Sequence, residues 1–119
     1  MQEVRMPFFL HQVSYNTEAM ARLIANPQDR VEVVRAPIEK LGGKIKDAYF
    51  AFGEHDVVVI TEFSDNISAA AISMAFAAGG GVRSSTTTPL LTTSEAVEAM
   101  RRAGTCGYKA VNASAAAAR

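Results

Sequence analysis

"KIKDAYFAFGEHDVVVITEF", residues 44–63, is the stretch that decides the fold. Two apolar, β-rich runs flank Gly53-Glu54-His55-Asp56, and a glycine and an aspartate between two such runs mark a hairpin. If Phe52 faces Val57 across the turn, one face carries Phe50, Phe52, Val57, Val59 and Phe63. The other carries Ile45, Asp47, Tyr49, Ala51, Val58, Ile60 and Glu62. A slip of one residue would exchange the two sets. We assign the first set to helices above the sheet and leave the second uncovered.

Working outward, Val4 to Tyr15 is rich in Phe, Val and Tyr and reads as a first strand, with Pro7 confining its start to an edge or bulge. Thr17 is placed to cap a helix. A second start signal follows in "NPQDRVEVV", with Asn26 as cap, Pro27 at the first helical position and Asp29 near the positive end of the helix dipole. Val31, Val34, Ile38 and Leu41 form one apolar stripe, Pro37 predicts a kink, and Gly42-Gly43 ends the helix. Beyond the hairpin, Asp65 can cap a helix to about Ala78, closed by Gly79-Gly80-Gly81. Val82 to Leu91 reads as a fourth strand, and Thr92-Thr93-Ser94-Glu95 as a capping box opening a helix that stops near Gly104. The order β-α-β-β-α-β plus a helix is the α+β, ferredoxin-like arrangement: an antiparallel four-stranded sheet with helices on one face. We expect one domain over residues 6–104, an N-terminal extension over 1–5 and a flexible tail over 105–119.

Twelve basic and twelve acidic residues cancel, which predicts no nucleic-acid or anionic-membrane partner. A single cysteine, Cys106, excludes an internal disulfide, and two histidines are few for a metal cluster, so neither metal nor organic cofactor is expected. The apolar run Ala69 to Val82 is short for a bilayer and the start lacks a signal-peptide pattern, so a cytoplasmic protein is expected. The second sheet face is too apolar to leave in water, and "SAAAISMAFAAGGG" has no polar face. Both predict self-association into a homo-oligomer, a dimer or higher.

"LGGKIKDAYFAFG", "HDVVVITEFSD" and "GGVRSSTTTPLLTTSE", with "DR" before the first helix's main run, resemble the GYD domain family, small bacterial proteins named for a Gly-Tyr-Asp turn. The resemblance spans about Met6 to Met100. Its departure is at the signature, where "GEHD" keeps Gly53 and Asp56 but has His55 in place of the usual tyrosine. The family is similar in topology to the dimeric α/β barrels, so the resemblance implies that two such sheets close around a shared cavity. It implies no particular activity.

Gly53 and Asp56 are assigned a structural role in the turn, the glycine for its permissive backbone and the carboxylate as acceptor for nearby amides. His55 could act as a base oriented by Asp56. His11 lies mid-strand on the parity of Phe9, Val13 and Tyr15. If that face joins Tyr49 and Glu62, an imidazole, a phenol and a carboxylate share one cavity and could shuttle a proton. The alternative is that these groups satisfy one another in a buried network. Arg83, before the run Ser84 to Thr88, could hold an anion, although such a run also suits an ordinary half-buried strand. Phe9, Tyr15, Asp47, Arg83 and His55 complete a candidate ligand set, Arg30 reads as half of a surface ion pair, and Cys106 as incidental. The leading expectation is a small organic molecule bound in an apolar cavity. The rivals are a cofactor-free isomerase or monooxygenase using His11, Tyr49 and Glu62, and a purely structural oligomerisation module.

Overall fold

Four strands pair antiparallel in the order β2-β3-β1-β4 in the computed structural model, which describes residues 6–111. In chain order the elements are β1 (Phe8–Tyr15), α1 (Thr17–Ala25), α2 (Arg30–Lys40), β2 (Lys44–Phe50), β3 (Val57–Glu62), α3 (Asn66–Ala78), β4 (Val82–Leu90) and α4 (Thr93–Thr105). This is the α+β, ferredoxin-like arrangement. The N-terminal extension and the tail from Asn112 lie outside the described residues.

The helix starts follow side-chain capping. Asn16 caps α1 by accepting from the Ala19 amide at 2.9 Å, so Thr17 is the first helical residue rather than the cap. Asn26 does not open α2. Its amide closes α1 on the Arg22 carbonyl at 2.8 Å, and Asp29 caps α2 by accepting from the Val31 amide at 3.0 Å. Pro37 is accommodated inside α2. That helix ends in a Schellman motif: Gly43 N–H bonds the Ile38 carbonyl at 2.9 Å and Gly42 N–H the Glu39 carbonyl at 3.0 Å, with Gly42 at φ +85°. Asp65 caps α3 through the Ser68 amide at 2.7 Å, and Thr92 with Glu95 forms the capping box of α4.

The hairpin register differs from the sequence expectation by two residues, with Phe50 opposite Val57 and Tyr49 opposite Val58. The parity of the faces survives because the shift is even. Phe52, however, falls in the loop and is 98% exposed, and Phe50, though on the expected side, is 62% exposed at the strand end, so helices cover neither. A bulge between Ile45 and Asp47 then moves Ile45 opposite Thr61, onto the helix-covered side. There Phe9, Ile38, Phe63, Ala69 and Ile72 form one buried cluster, and Val13, Val57 and Val59 a second. Gly43 lies flat against the Phe63 ring, where a Cβ would overlap the aromatic carbons. The opposite face, with Leu10, Val58, Ile60 and Leu90 half-buried, has no helix packed extensively over it among the described residues.

Candidate functional site

A cleft of about 380 Å³ opens between the helix-facing side of the sheet and the helices. Val13, Val57 and Val59 form its floor, with Leu23, Val34 and Phe76 on the walls. Tyr15, Gln28 and Arg30 supply polar groups, with Arg22 also on its border. A shallower groove of about 740 Å³ lies beside it, and Tyr15 and Arg30 border both.

Tyr15 and Arg30 arrive at the cleft from the ends of elements, and Gln28 from the loop between α1 and α2. Tyr15 is the last residue of β1, just past a bulge at Ser14, and its amide donates to the Asp56 carboxylate at 2.8 Å. Arg30 is the first residue of α2, and its guanidinium donates to the Gln28 side chain at 3.1 Å rather than sitting in the acid pair expected of it. Burial pushes the Tyr15 phenol up, and the Arg30 guanidinium beside it pulls the value partly back. The phenol therefore stays protonated at neutral pH and presents an O–H beside a permanent cation. An apolar slot with a guanidinium and a phenol at one end suits a molecule with an apolar body and an anionic or carbonyl head.

The expected catalytic trio is not brought together within one chain. His11 lies opposite Val59 and Thr87 and is 1% exposed, on the helix-covered side. Tyr49, opposite Val58, and Glu62, opposite Phe8 and Lys44, belong to the other face, and Tyr49 is 65% exposed. The sheet itself separates the imidazole from the phenol. His11 instead sits in a chain of hydroxyls, with Nε2 2.7 Å from Thr61 Oγ1, Nδ1 3.1 Å from Thr87 Oγ1, and Thr87 donating to Ser73 of α3 at 3.1 Å. With Thr87 donating onward, Nδ1–H donates to Thr87 and Nε2 accepts from Thr61, so one neutral tautomer satisfies the network. The rings of Phe63 and Phe76 stand edge-on to the imidazole. Burial lowers the His11 pKa to about 4.

Of the candidate ligand set, Tyr15 lines the cleft and Phe9 is buried in the core. Asp47 is on the open face, 3.5 Å from the Tyr49 hydroxyl. Arg83 is exposed at the bulge of β4. His55 is half-buried at the hairpin loop, its Nδ1 3.4 Å from Ser14 Oγ. Asp56 stitches that loop to β1: its amide donates to the Val13 carbonyl at 2.8 Å while its carboxylate receives the Tyr15 amide. Gly53 has neither a positive φ nor a neighbour that a Cβ would meet, so the permissive backbone expected of it is not used. Arg30, Gln28 and Phe76 went unrecognised from the sequence. The available signal was local: Tyr15 and Arg30 each adjoin a helix-capping residue, where chain ends gather at one end of a sheet.

The family model of the GYD domain matches residues 9–100, from the second residue of β1 into α4. The chain belongs to the GYD domain family. No curated protein and no solved structure matches it significantly. The matched span contains all of the sheet but Phe8, all three helices on its covered side and every residue named for the cleft of this GYD domain. Among the described residues no helix is long and apolar enough to cross a membrane, and no group of three or more His, Cys, Asp or Glu side chains could hold a metal ion.

Proposed function

We propose that this GYD-domain protein binds a small organic anion in the cleft under α1, α2 and α3. The supporting observation is the pairing of Arg30 with the Tyr15 phenol at the end of an otherwise apolar slot. A forked guanidinium contact would fix a carboxylate or enolate head, and the Tyr15 O–H would add a second donor. Burying the apolar body supplies most of the affinity, at roughly 25 cal/mol per Å². Thermal-shift titration with salicylate and 1-naphthoate as probes tests the reading. We expect both to raise the melting temperature, naphthoate more so, and the Arg30→Gln variant to lose at least tenfold in affinity while keeping its fold. No shift at millimolar probe, or an equal shift in Arg30→Gln, would refute it.

Self-association belongs to the same reading. The uncovered sheet face, with Leu10, Val58, Ile60 and Leu90 at its centre, is the surface a second copy would cover, as in a dimeric α/β barrel. Tyr49, Asp47 and Glu62 would then lie at that interface rather than in the cleft.

A further inference from the structure

The cleft carries positive charge and no negative charge of its own. Its lining includes two arginines, Arg22 and Arg30, and no aspartate or glutamate. The chain as a whole is balanced, with twelve basic and twelve acidic residues, so the cleft is a local separation of charge. The two carboxylates that flank Arg30 and Tyr15 are engaged elsewhere: Asp29 accepts from the Val31 amide and Asp56 from the Tyr15 amide, and neither borders the cleft. Cations around an apolar, low-dielectric slot reinforce one another's field inside it. Arg30 serves the anionic head proposed above. Arg22 is left over.

The position of Arg22 is distinctive in three ways. Ala19, Arg22 and Leu23 stand at i, i+3 and i+4 on α1, hence on one helix face, and all three line the cleft. A cation suits the last turn of α1, but that role does not require it to lie on the cleft side. Glu18 stands one turn earlier, where an i,i+4 ion pair would commonly form. No such pair is made, and among the described residues the Arg22 side chain has no hydrogen bond or ion pair. Finally, the two guanidiniums occupy different parts of the rim. Arg30 borders both the cleft and the neighbouring groove, whereas Arg22 borders the cleft alone, as do Phe76 and Gly79.

Resting on the anion-binding reading of the cleft, we propose that its ligand is a dianion, with two carboxylate-type groups on one apolar body. Arg30 and Tyr15 hold the first group, and Arg22 makes a forked contact with the second. Arg22 is thus the residue that separates dianions from monoanions of the same shape. Its exposed side chain is free to turn onto a group at the mouth of the cleft.

Isothermal titration of the whole chain with 1- and 2-naphthoate and with 1,4- and 2,6-naphthalenedicarboxylate, at pH 7 and constant ionic strength, tests the proposal. The probes share one apolar body, and the two diacids set their carboxylates at different separations. We expect at least one diacid to bind fivefold or more tighter than its parent monoacid. Arg22→Gln should erase that preference while leaving naphthoate affinity within twofold, and Arg30→Gln should weaken every probe. Arg22 is exposed, so its variant should fold normally, which far-UV circular dichroism checks. Naphthoate binding that depends on Arg30 but shows no diacid preference would overturn the second seat and leave the anion reading standing. A preference that survives in Arg22→Gln, or an equal loss for monoacids and diacids, would overturn the role given to Arg22. Failure of every probe to bind would overturn both readings.

Discussion

Acidification should destabilise this protein well before its carboxylates titrate, and His11 is the reason. In the unfolded chain an imidazole takes up its proton near pH 6.5, whereas burial lowers the folded value to about 4. Between those values the unfolded state binds more protons, so stability is intact above about pH 6.5 and is lost as pH falls toward 4. From the two values the loss is about 2 kcal/mol by pH 5 and about 3 kcal/mol by pH 4, levelling off at about 3.4 kcal/mol at lower pH. Against a typical total of roughly 5–15 kcal/mol this is a large fraction. Burial is the cause: the ring is 1% exposed and walled by Phe63 and Phe76, where a charged imidazolium loses its hydration, while the neutral ring keeps its bonds to Thr61 and Thr87. Urea unfolding at pH 7, 6 and 5, followed by far-UV circular dichroism because the chain has no tryptophan, measures the effect. The window from pH 6.5 to 5 lies above the range of most carboxylates, and His11→Gln, which can bond both threonines without titrating, provides the baseline. Equal pH dependence in the two proteins, or an NMR titration of His11 near 6.5 in the folded state, would refute the reasoning.

Three other substitutions probe the frame around the cleft. Gly43→Ala should cost about 1–3 kcal/mol in urea unfolding, because the new Cβ overlaps the fully buried Phe63 ring and neither can move far. Asp56→Ala should cost about 1.5–3 kcal/mol by releasing the Tyr15 amide from a charged acceptor, and should raise amide exchange at Tyr15. Ser85→Ala should be neutral or stabilising in thermal unfolding, by up to about 1 kcal/mol, since the buried Ser85 hydroxyl oxygen has no hydrogen-bond partner to lose.

The fold was legible because hydrophobic alternation and punctuation agreed along the chain. Asp65, the Thr92–Glu95 box and Gly42-Gly43 are chemically specific helix boundaries, and each lies where it was expected. Asn26 misled because "NPQD" contains two plausible caps, and the one that prevailed left Asn26 free to close α1. The hairpin register slipped by two because the connection is a six-residue loop, Ala51 to Asp56, which β1 holds through the Asp56 amide on the Val13 carbonyl and the Asp56 carboxylate on the Tyr15 amide. The site was less legible for a geometric reason. A strand's parity says which residues share a face, but not which face of a neighbouring strand they join. His11 was placed correctly with Phe9 and Val13, and that face meets Thr61 and Thr87 rather than Tyr49. Arg30 left no periodic trace because it starts a helix, and its role comes from a strand end fifteen residues earlier in the chain.

The hairpin turn bears on the cleft through this same strand end. Asp56 holds the Tyr15 amide, and the next residue, Asn16, caps α1 while its side-chain amide donates to the Gly80 carbonyl at 2.7 Å and its backbone amide to the Gly81 carbonyl at 3.0 Å. One dipeptide therefore ties the hairpin loop, α1 and the end of α3 together around the mouth of the cleft. The aspartate of the turn acts on the backbone of Tyr15, and the tip glycine stands clear of every neighbour. Substitution at the middle position, where this chain has His55, leaves that clamp intact because its atoms come from Asp56 and β1 alone. In this chain the turn thus helps to position the mouth of the cleft, and on the proposed reading Asp56 is the member of the turn whose loss should weaken binding of the probe anions through Tyr15.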